Sequence, residues 1–286
     1  MTHVSMKRAA ALAAVAVVSA TAIASAHAAD WSDTSIGYRY GSKFAEPFNT
    51  QDISKNIVNL THASGYKYGS NFFNVDLLLS DKKDPSSASS TDGAHEVYIV
   101  YRHTLDMEKV LGTPFAFGPV RGFGLTAGFD VNAKTDAGYN SKKRMFVAGP
   151  TLMFDVPGFL NVSLLLLKES NAPYNTFSSI GTPRYDYKAH AMLTAAWAIP
   201  FNIGIPLSFE GFANYIAAKG KNEFGGSTAP ETNFDAQVMY DVTGAKTFKI
   251  GFEYQYWRNK FGNDHAGPAG KGAFAKTPMI RAEYHF

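Results

Sequence analysis

The sequence predicts an all-β protein, a transmembrane antiparallel up-and-down β-barrel of about twelve strands. Three observations carry this. Apolar and polar residues alternate with a period of two along almost the whole chain. The connections between alternating segments are by turns short and long. The last segment ends on an aromatic residue, Phe286. Reading back from it, Phe286, Tyr284, Ala282 and Ile280 share one parity, and His285, Glu283, Arg281 and Met279 the other. Only a strand separates those two sets onto opposite faces. In a soluble sandwich the apolar parity would face a core; in a membrane barrel it faces lipid and the polar parity lines the lumen.

The first residues favour the membrane. Lys7 and Arg8 precede an Ala/Val-rich run from Ala9 to Ala24, and Ala26-His27-Ala28 follows. A basic start, a short apolar middle and a small-residue exit describe a secretory signal peptide, residues 1–28, leaving 29–286 as one barrel domain. No other apolar run approaches the length of a spanning helix. The chain of 286 residues contains no Cys, so neither a disulfide framework nor thiol chemistry is available. Removing Lys7 and Arg8 from a net charge of +3 leaves 25 basic against 24 acidic residues, or +1, with no basic stripe for a nucleic-acid polymer. Aromatic residues make up 14%, the excess expected of membrane-interface belts.

The strands are expected to run about ten residues each, the length needed to cross the apolar layer on a tilt. Asp33 to Tyr40 opens the series, with Ile36, Tyr38 and Tyr40 opposing Ser35, Gly37 and Arg39. Lys55 to His62 is short. Asn71 to Leu79 sets Phe73, Val75, Leu77 and Leu79 against Phe72, Asn74 and Asp76. His95 to His103 sets Val97, Ile99 and Tyr101 against Glu96, Tyr98 and Arg102. Arg121 to Val131 sets Phe123, Leu125, Ala127 and Phe129 against Gly124, Thr126, Gly128 and Asp130. Met145 to Asp155 and Leu160 to Glu169 carry apolar residues on both parities and leave the inward face open. Tyr185 to Ile199 sets Tyr187, Ala191, Leu193 and Trp197 against Asp186, Lys188, His190 and Met192. Pro206 to Ala218 sets Leu207, Phe209 and Tyr215 against Ser208, Glu210 and Asn214. Phe234 to Asp241 and Thr247 to Trp257 alternate most cleanly, the latter placing Ile250, Phe252 and Tyr254 against Lys249, Glu253 and Trp257.

Short connections fall at 155–158, 200–205 and 242–245, and long polar ones at 81–93, 132–142, 170–184, 220–230 and 259–274. This is the asymmetry of short periplasmic turns and long external loops, with both termini periplasmic. The connection 104–118 is longer than a tight turn and fits less well. Location in the outer membrane of a Gram-negative bacterium, in contact with its lipid, follows, with Phe286 as the mark read by the barrel-assembly machinery.

No motif for catalysis stands out. Gly122-Phe123-Gly124 lies inside a strand with no helix after it, so a phosphate loop is not expected. The eight His have no paired spacing for a metal. His103 and His190 lack the context of a nucleophile, and neither an enzyme nor a cofactor is expected. The useful constellation is the inward set: Arg39, Phe72, Asp76, Glu96, Tyr98, Arg102, Asp130, Asp235, Lys249, Glu253, Trp257 and Arg281, with Asp186, Lys188, His190, Glu210, Phe212, Asp241 and Glu283. Both charge signs on adjacent strands can pair and simply solvate the lumen. Interspersed aromatic faces also suit a flat base or a sugar ring. A barrel of intermediate size suggests a narrow, selective pore.

The stretch Trp31 to Gly41 (WSDTSIGYRYG), with Phe44 to Phe48 (FAEPF), Asp52 to Asn56 (DISKN) and Gly65 to Asp76 (GYKYGSNFFNVD), resembles the N-terminal region of the Tsx-like nucleoside-specific channel family, including its OmpK group. The resemblance runs from about Trp31 to Phe286 and is strongest before Asp81. It implies a twelve-stranded outer-membrane barrel passing nucleosides by diffusion; some relatives also serve as phage receptors. Arg39, Glu46 and Phe48 match the motif by position, as solute contacts or as anchors of the first external loop. No solute-binding residue carries over by identity. The alternative is a non-transport surface barrel with a plugged lumen.

Overall fold

The computed structural model describes residues 29–175 and 179–286; the expected signal segment lies outside the described residues. Twelve strands form the wall: β1 (Ala29–Phe44), β2 (Ile53–Tyr66), β3 (Gly69–Ser80), β4 (His95–Asp106), β5 (Val120–Lys134), β6 (Arg144–Phe154), β7 (Phe159–Asn171), β8 (His190–Asn202), β9 (Pro206–Ile216), β10 (Glu231–Asp241), β11 (Phe248–Arg258) and β12 (Phe274–His285). Each pairs antiparallel with its neighbour in sequence. The ring closes where β12 pairs with β1, from Ser35 opposite His285 to Gly41 opposite Met279. Closure leaves no edge with unpaired backbone groups, the condition for a sheet to stand in hydrocarbon.

The expected parity holds around most of the ring. Ile36, Leu164, Leu166, Leu193, Phe252 and Ile280 are exposed on the outer face. Arg39, Asn59, Glu96, Asp130, Asp235 and Glu253 are buried on the inner one. The two strands of open parity, β6 and β7, have a physical explanation. Their inward residues Val147, Leu165 and Leu167 pack with Met192 of β8 as an apolar cluster inside the barrel, joined by Met145 and Ile216. Apolar residues therefore stand on both faces, and alternation vanishes.

The strands overrun the expected length, the first extending to Ala29–Phe44. The ends differ as expected. Turns 67–68, 155–158, 203–205 and 242–247 share one end with both termini of the barrel, as does 107–119, which holds a five-residue helix, Met107–Leu111. Loops 45–52, 81–94, 135–143, 172–189, 217–230 and 259–273 share the other.

One stretch departs from the expected parity. Tyr187 is buried and faces inward, whereas Asp186 and Lys188 are exposed. Tyr185 and Asp186 pair with Asn171 and Ser170, but His190 pairs with Leu167, so three residues, 187–189, oppose two. That is a bulge, and a one-residue slip exchanges the faces of every side chain beyond it. Strict alternation read through 185–190 places Tyr187, Asp186 and Lys188 on the wrong sides.

Candidate functional site

The lumen wall carries its charges in linked groups. Arg39 on β1 and Arg281 on β12 are directly opposed in register. Glu253 on β11 lies between them, 2.9 Å from the Arg39 guanidinium and 2.7 Å from that of Arg281. Arg39 also reaches Asp76 at 2.6 Å, and Arg281 pairs with Glu283. Nearby, Gln255 donates to Asp235 at 3.0 Å. A second group joins Arg102 to Asp130, which also accepts from the Tyr98 hydroxyl at 3.1 Å. Toward the turn end, Lys249 pairs with Glu210 at 3.0 Å. Between these charges runs an uncharged strip in which hydroxyls link Thr104 to Thr126, Thr126 to Thr151 and Thr151 to Ser163 at 2.6–2.8 Å.

All twelve site residues expected from the sequence take the inward parity, but they do not converge on one place. Arg39, Asp76, Glu253 and Arg281 form one cluster, and Tyr98, Arg102 and Asp130 another. Phe72 stands apart, 40% exposed, as does Phe212 at 36%. Glu96 and Trp257 belong to the loop end. Glu96 accepts from Asn132 and lies 4.0 Å from Lys55, while the Trp257 indole donates to Glu231 at 3.3 Å. Of the two candidate histidines, His190 is buried inside with Nδ1 against the Lys188 carbonyl. His103 is on the outer parity and bonds Tyr66 and Asn71. They do not meet.

What the sequence did not disclose is a cap. Loops from the long end turn inward and are cross-linked by buried lysines. One carboxylate oxygen of Glu46, in loop 45–52, receives Lys55 at 2.6 Å, Lys260 at 3.1 Å and Lys134 at 3.5 Å. Lys134 also holds Asp84 of loop 81–94 at 3.0 Å and Asp136 of loop 135–143 at 2.8 Å. A second knot sets Lys143 and Lys219 on Glu169 at 2.9 and 2.7 Å, with Glu231 3.4 Å from Lys219. Loop 259–273 is pressed against loop 45–52: a Cβ on Gly272 would lie 2.0 Å from the Glu46 carbonyl oxygen and 2.3 Å from that of Asn49. Burial opposes ionisation of Glu46, but Lys134, Lys260 and Lys55 outweigh it and hold the carboxyl well below its ordinary range. Burial pushes Asp84 up to about 6, Lys134 working against the rise and Glu46 with it.

Beneath the cap the lumen is filled. Inward Ile53, Ile57, Leu165 and Leu167 are at most 2% exposed, and Phe44, Ile53, Ile57 and Met279 form an apolar cluster with Leu78. One clue lay in the sequence: Lys55 and Ile57 share the inward parity of β2, a pairing no open aqueous wall requires. Glu46, matched by position in the N-terminal motif, is the centre of the cap, and Phe48 stands exposed on its rim.

A closed antiparallel ring of twelve strands, apolar outside and charged within, defines an outer-membrane β-barrel. No family model matches the chain, and no curated protein is similar to it in sequence. Among solved structures, a KdgM porin is 12% identical with a TM-score of 0.42 over 88% of this chain and 99% of its own. The translocator domain of the autotransporter NalP from Neisseria meningitidis is 12% identical with a TM-score of 0.42, covering 98% of each chain. OprB of Pseudomonas putida is 8% identical with a TM-score of 0.32, over 91% of this chain and 94% of its own. A pore and a translocator stand side by side at these low values, and no solute follows from them.

Proposed function

We propose that the protein is an outer-membrane channel for the passive diffusion of nucleosides or similar small polar solutes, with its long loops outside the cell and its termini in the periplasm. The observation that supports this best is the lumen wall itself. Paired charges of both signs line it without a strong field of one sign, and the inward rings of Phe72 and Phe212 remain exposed among them. Such a lining solvates an uncharged polar ring, and its sites are weak enough to release what they hold. The resemblance of Trp31 to Asp76 to the Tsx-like channels points to nucleosides among such solutes. Arg39, Phe72, Asp76, Tyr98, Arg102, Asp130, Asp235, Lys249, Glu253 and Arg281 are the proposed lining of the path; Glu96 and Trp257 support the cap. Phe286 is the proposed signal for the assembly machinery.

The filled loop half favours a second reading, a surface barrel that does not conduct and works through its loops, for example as a phage receptor. Single-channel recording in planar bilayers separates the two. A channel gives a conductance that adenosine or thymidine reduces in a saturable way. Conductance that is absent both in the wild type and after the cap is loosened rejects the channel.

A further inference from the structure

The mouth holds a small cavity of about 80 Å³, bordered on one side by the cap residues Glu46, Lys134 and Asp136, which already neutralise one another. Its wall contains Phe48, Tyr139, Tyr187, Phe224 and Phe261, drawn from five different loops, with the carboxylate of Glu223 among them. Three features set it apart from ordinary loop packing.

The first is Glu223. The phenols of Tyr139 and Tyr187 both donate to it, and Asn171 donates at 3.1 Å. Burial, with the negative charge of Glu223 and other nearby groups, pushes both phenols well above their ordinary range, so they remain donors. Glu46, Asp84, Asp136, Glu169 and Glu231 each have a lysine; among the ion pairs of the described residues, none involves Glu223. Neutral donors orient the charge without cancelling it. Half-buried Glu223 is thus held by neutral donors with no cation paired to it.

The second is backbone conformation. Phe48 has φ +67° and Phe261 has φ +61°. Bulky residues rarely occupy this region, and such strain concentrates at sites where a side chain must be held in place. Two phenylalanines in this conformation border the same cavity. The third is incompleteness. Phe48 and Phe224 remain 65% and 67% exposed, so the ring wall is open on its outer side.

Aromatic faces around an uncompensated carboxylate are the chemistry of cation recognition. The rings offer their negative faces and the acid supplies the charge. The fold already uses this pairing internally, with the Lys143 ammonium 4.2 Å from the Phe261 ring centre and that of Lys219 4.7 Å from the Tyr187 ring. The volume admits a head group rather than a whole drug-sized solute, for which pockets of roughly 300 Å³ and more are usual.

We propose that this cavity binds the ammonium head of a small alkylammonium ion, which ion-pairs with Glu223 and lies against Phe224 and Phe48. The site requires neither conduction nor a nucleoside, so it stands or falls apart from the channel. Isothermal titration of the detergent-solubilised protein with butylammonium, and with butan-1-ol as its neutral counterpart, is the test. Saturable heat is expected for butylammonium alone. Glu223→Gln should weaken binding at least about tenfold, the scale of a lost charge-assisted hydrogen bond. Phe224→Leu, an exposed position that leaves the acid and its donors in place, should weaken it by about threefold through loss of the ring face. Equal heats for the amine and the alcohol, no saturable heat with butylammonium, or unchanged affinity in both variants would overturn the site. So would adenosine binding there with no dependence on Glu223.

Discussion

The two ends of this barrel are built from the same strands but are closed in different ways. Toward the turn end the inward positions are mixed: Phe72 is exposed and Lys249 pairs with Glu210 along the wall, while Met239, Thr151 and Glu283 are buried. At the loop end inward Ile53 and Ile57 are as dry as a protein core, close to Glu46 and its lysines. The difference lies in what enters the ring from outside. A closed sheet fixes which residues point inward, and the loops decide whether those residues meet water.

The sharpest way to break this contrast is chemical access. Cys replacing Phe72 or Phe212 should react with a small water-soluble thiol reagent, whereas Cys replacing Ile57 or Leu165 should be slower by about 10² or more, since reaction there requires local opening. Equal rates would end the distinction. The wall itself is checked by Cys at 249 and 281, which should react faster than Cys at 250, 252 and 280 wherever the latter lie in detergent or lipid, while Cys at 253, buried between Arg39 and Arg281, should be slow.

Next in size is the cap. Glu46→Ala leaves Lys55, Lys134 and Lys260 facing one another without their shared partner. Removing one side of a buried charge cluster costs about 3–5 kcal/mol. The expected outcome is a cap that opens while the barrel stays folded, with larger or more frequent conductance steps than wild type. An unchanged current would show that the barrier lies elsewhere.

The smallest effect is that of pH. Asp84 titrates at about 6 in the folded cap and near 3.8 once released. Between those values the closed cap binds a proton that the open one does not, so closure weakens as pH rises through this window. Glu46 works in the opposite sense, its contribution being lost only as pH falls below its ordinary range toward its lowered folded pKa. From pH 5 to 7 closure should lose about 1 kcal/mol through Asp84. Conductance should therefore be lower at pH 5, and Asp84→Asn should flatten the response.

The sequence made most of the wall legible because membrane and water impose a strict period of two. The parity of Arg39, Glu253 and Arg281 could be read directly. It failed where another force set the pattern. On β6 and β7, Val147, Leu165 and Leu167 are apolar because they pack with Met192 as a cluster inside the barrel. Around Tyr187 a single inserted residue reversed the faces. The cap lysines were invisible because Lys219 and Lys260 lie in loops, whose inward fold no periodicity encodes, and Lys134 ends a strand. Its partners Glu46, Asp84 and Asp136 are spread over three loops. Only Lys55, inward beside Ile57, gave a local sign.

The opposition of Arg39 and Arg281 bears on how the ring is born. Like charges facing each other across a strand pair repel, and here they face each other where the first strand meets the final one. Glu253, supplied by the penultimate strand, neutralises that meeting. With the terminal hairpin in place, that carboxylate is on hand when the first and final strands meet, beside Asp76 on Arg39 and Glu283 on Arg281. Glu253→Gln should slow the final zippering in a refolding assay more than it alters formation of the preceding hairpins.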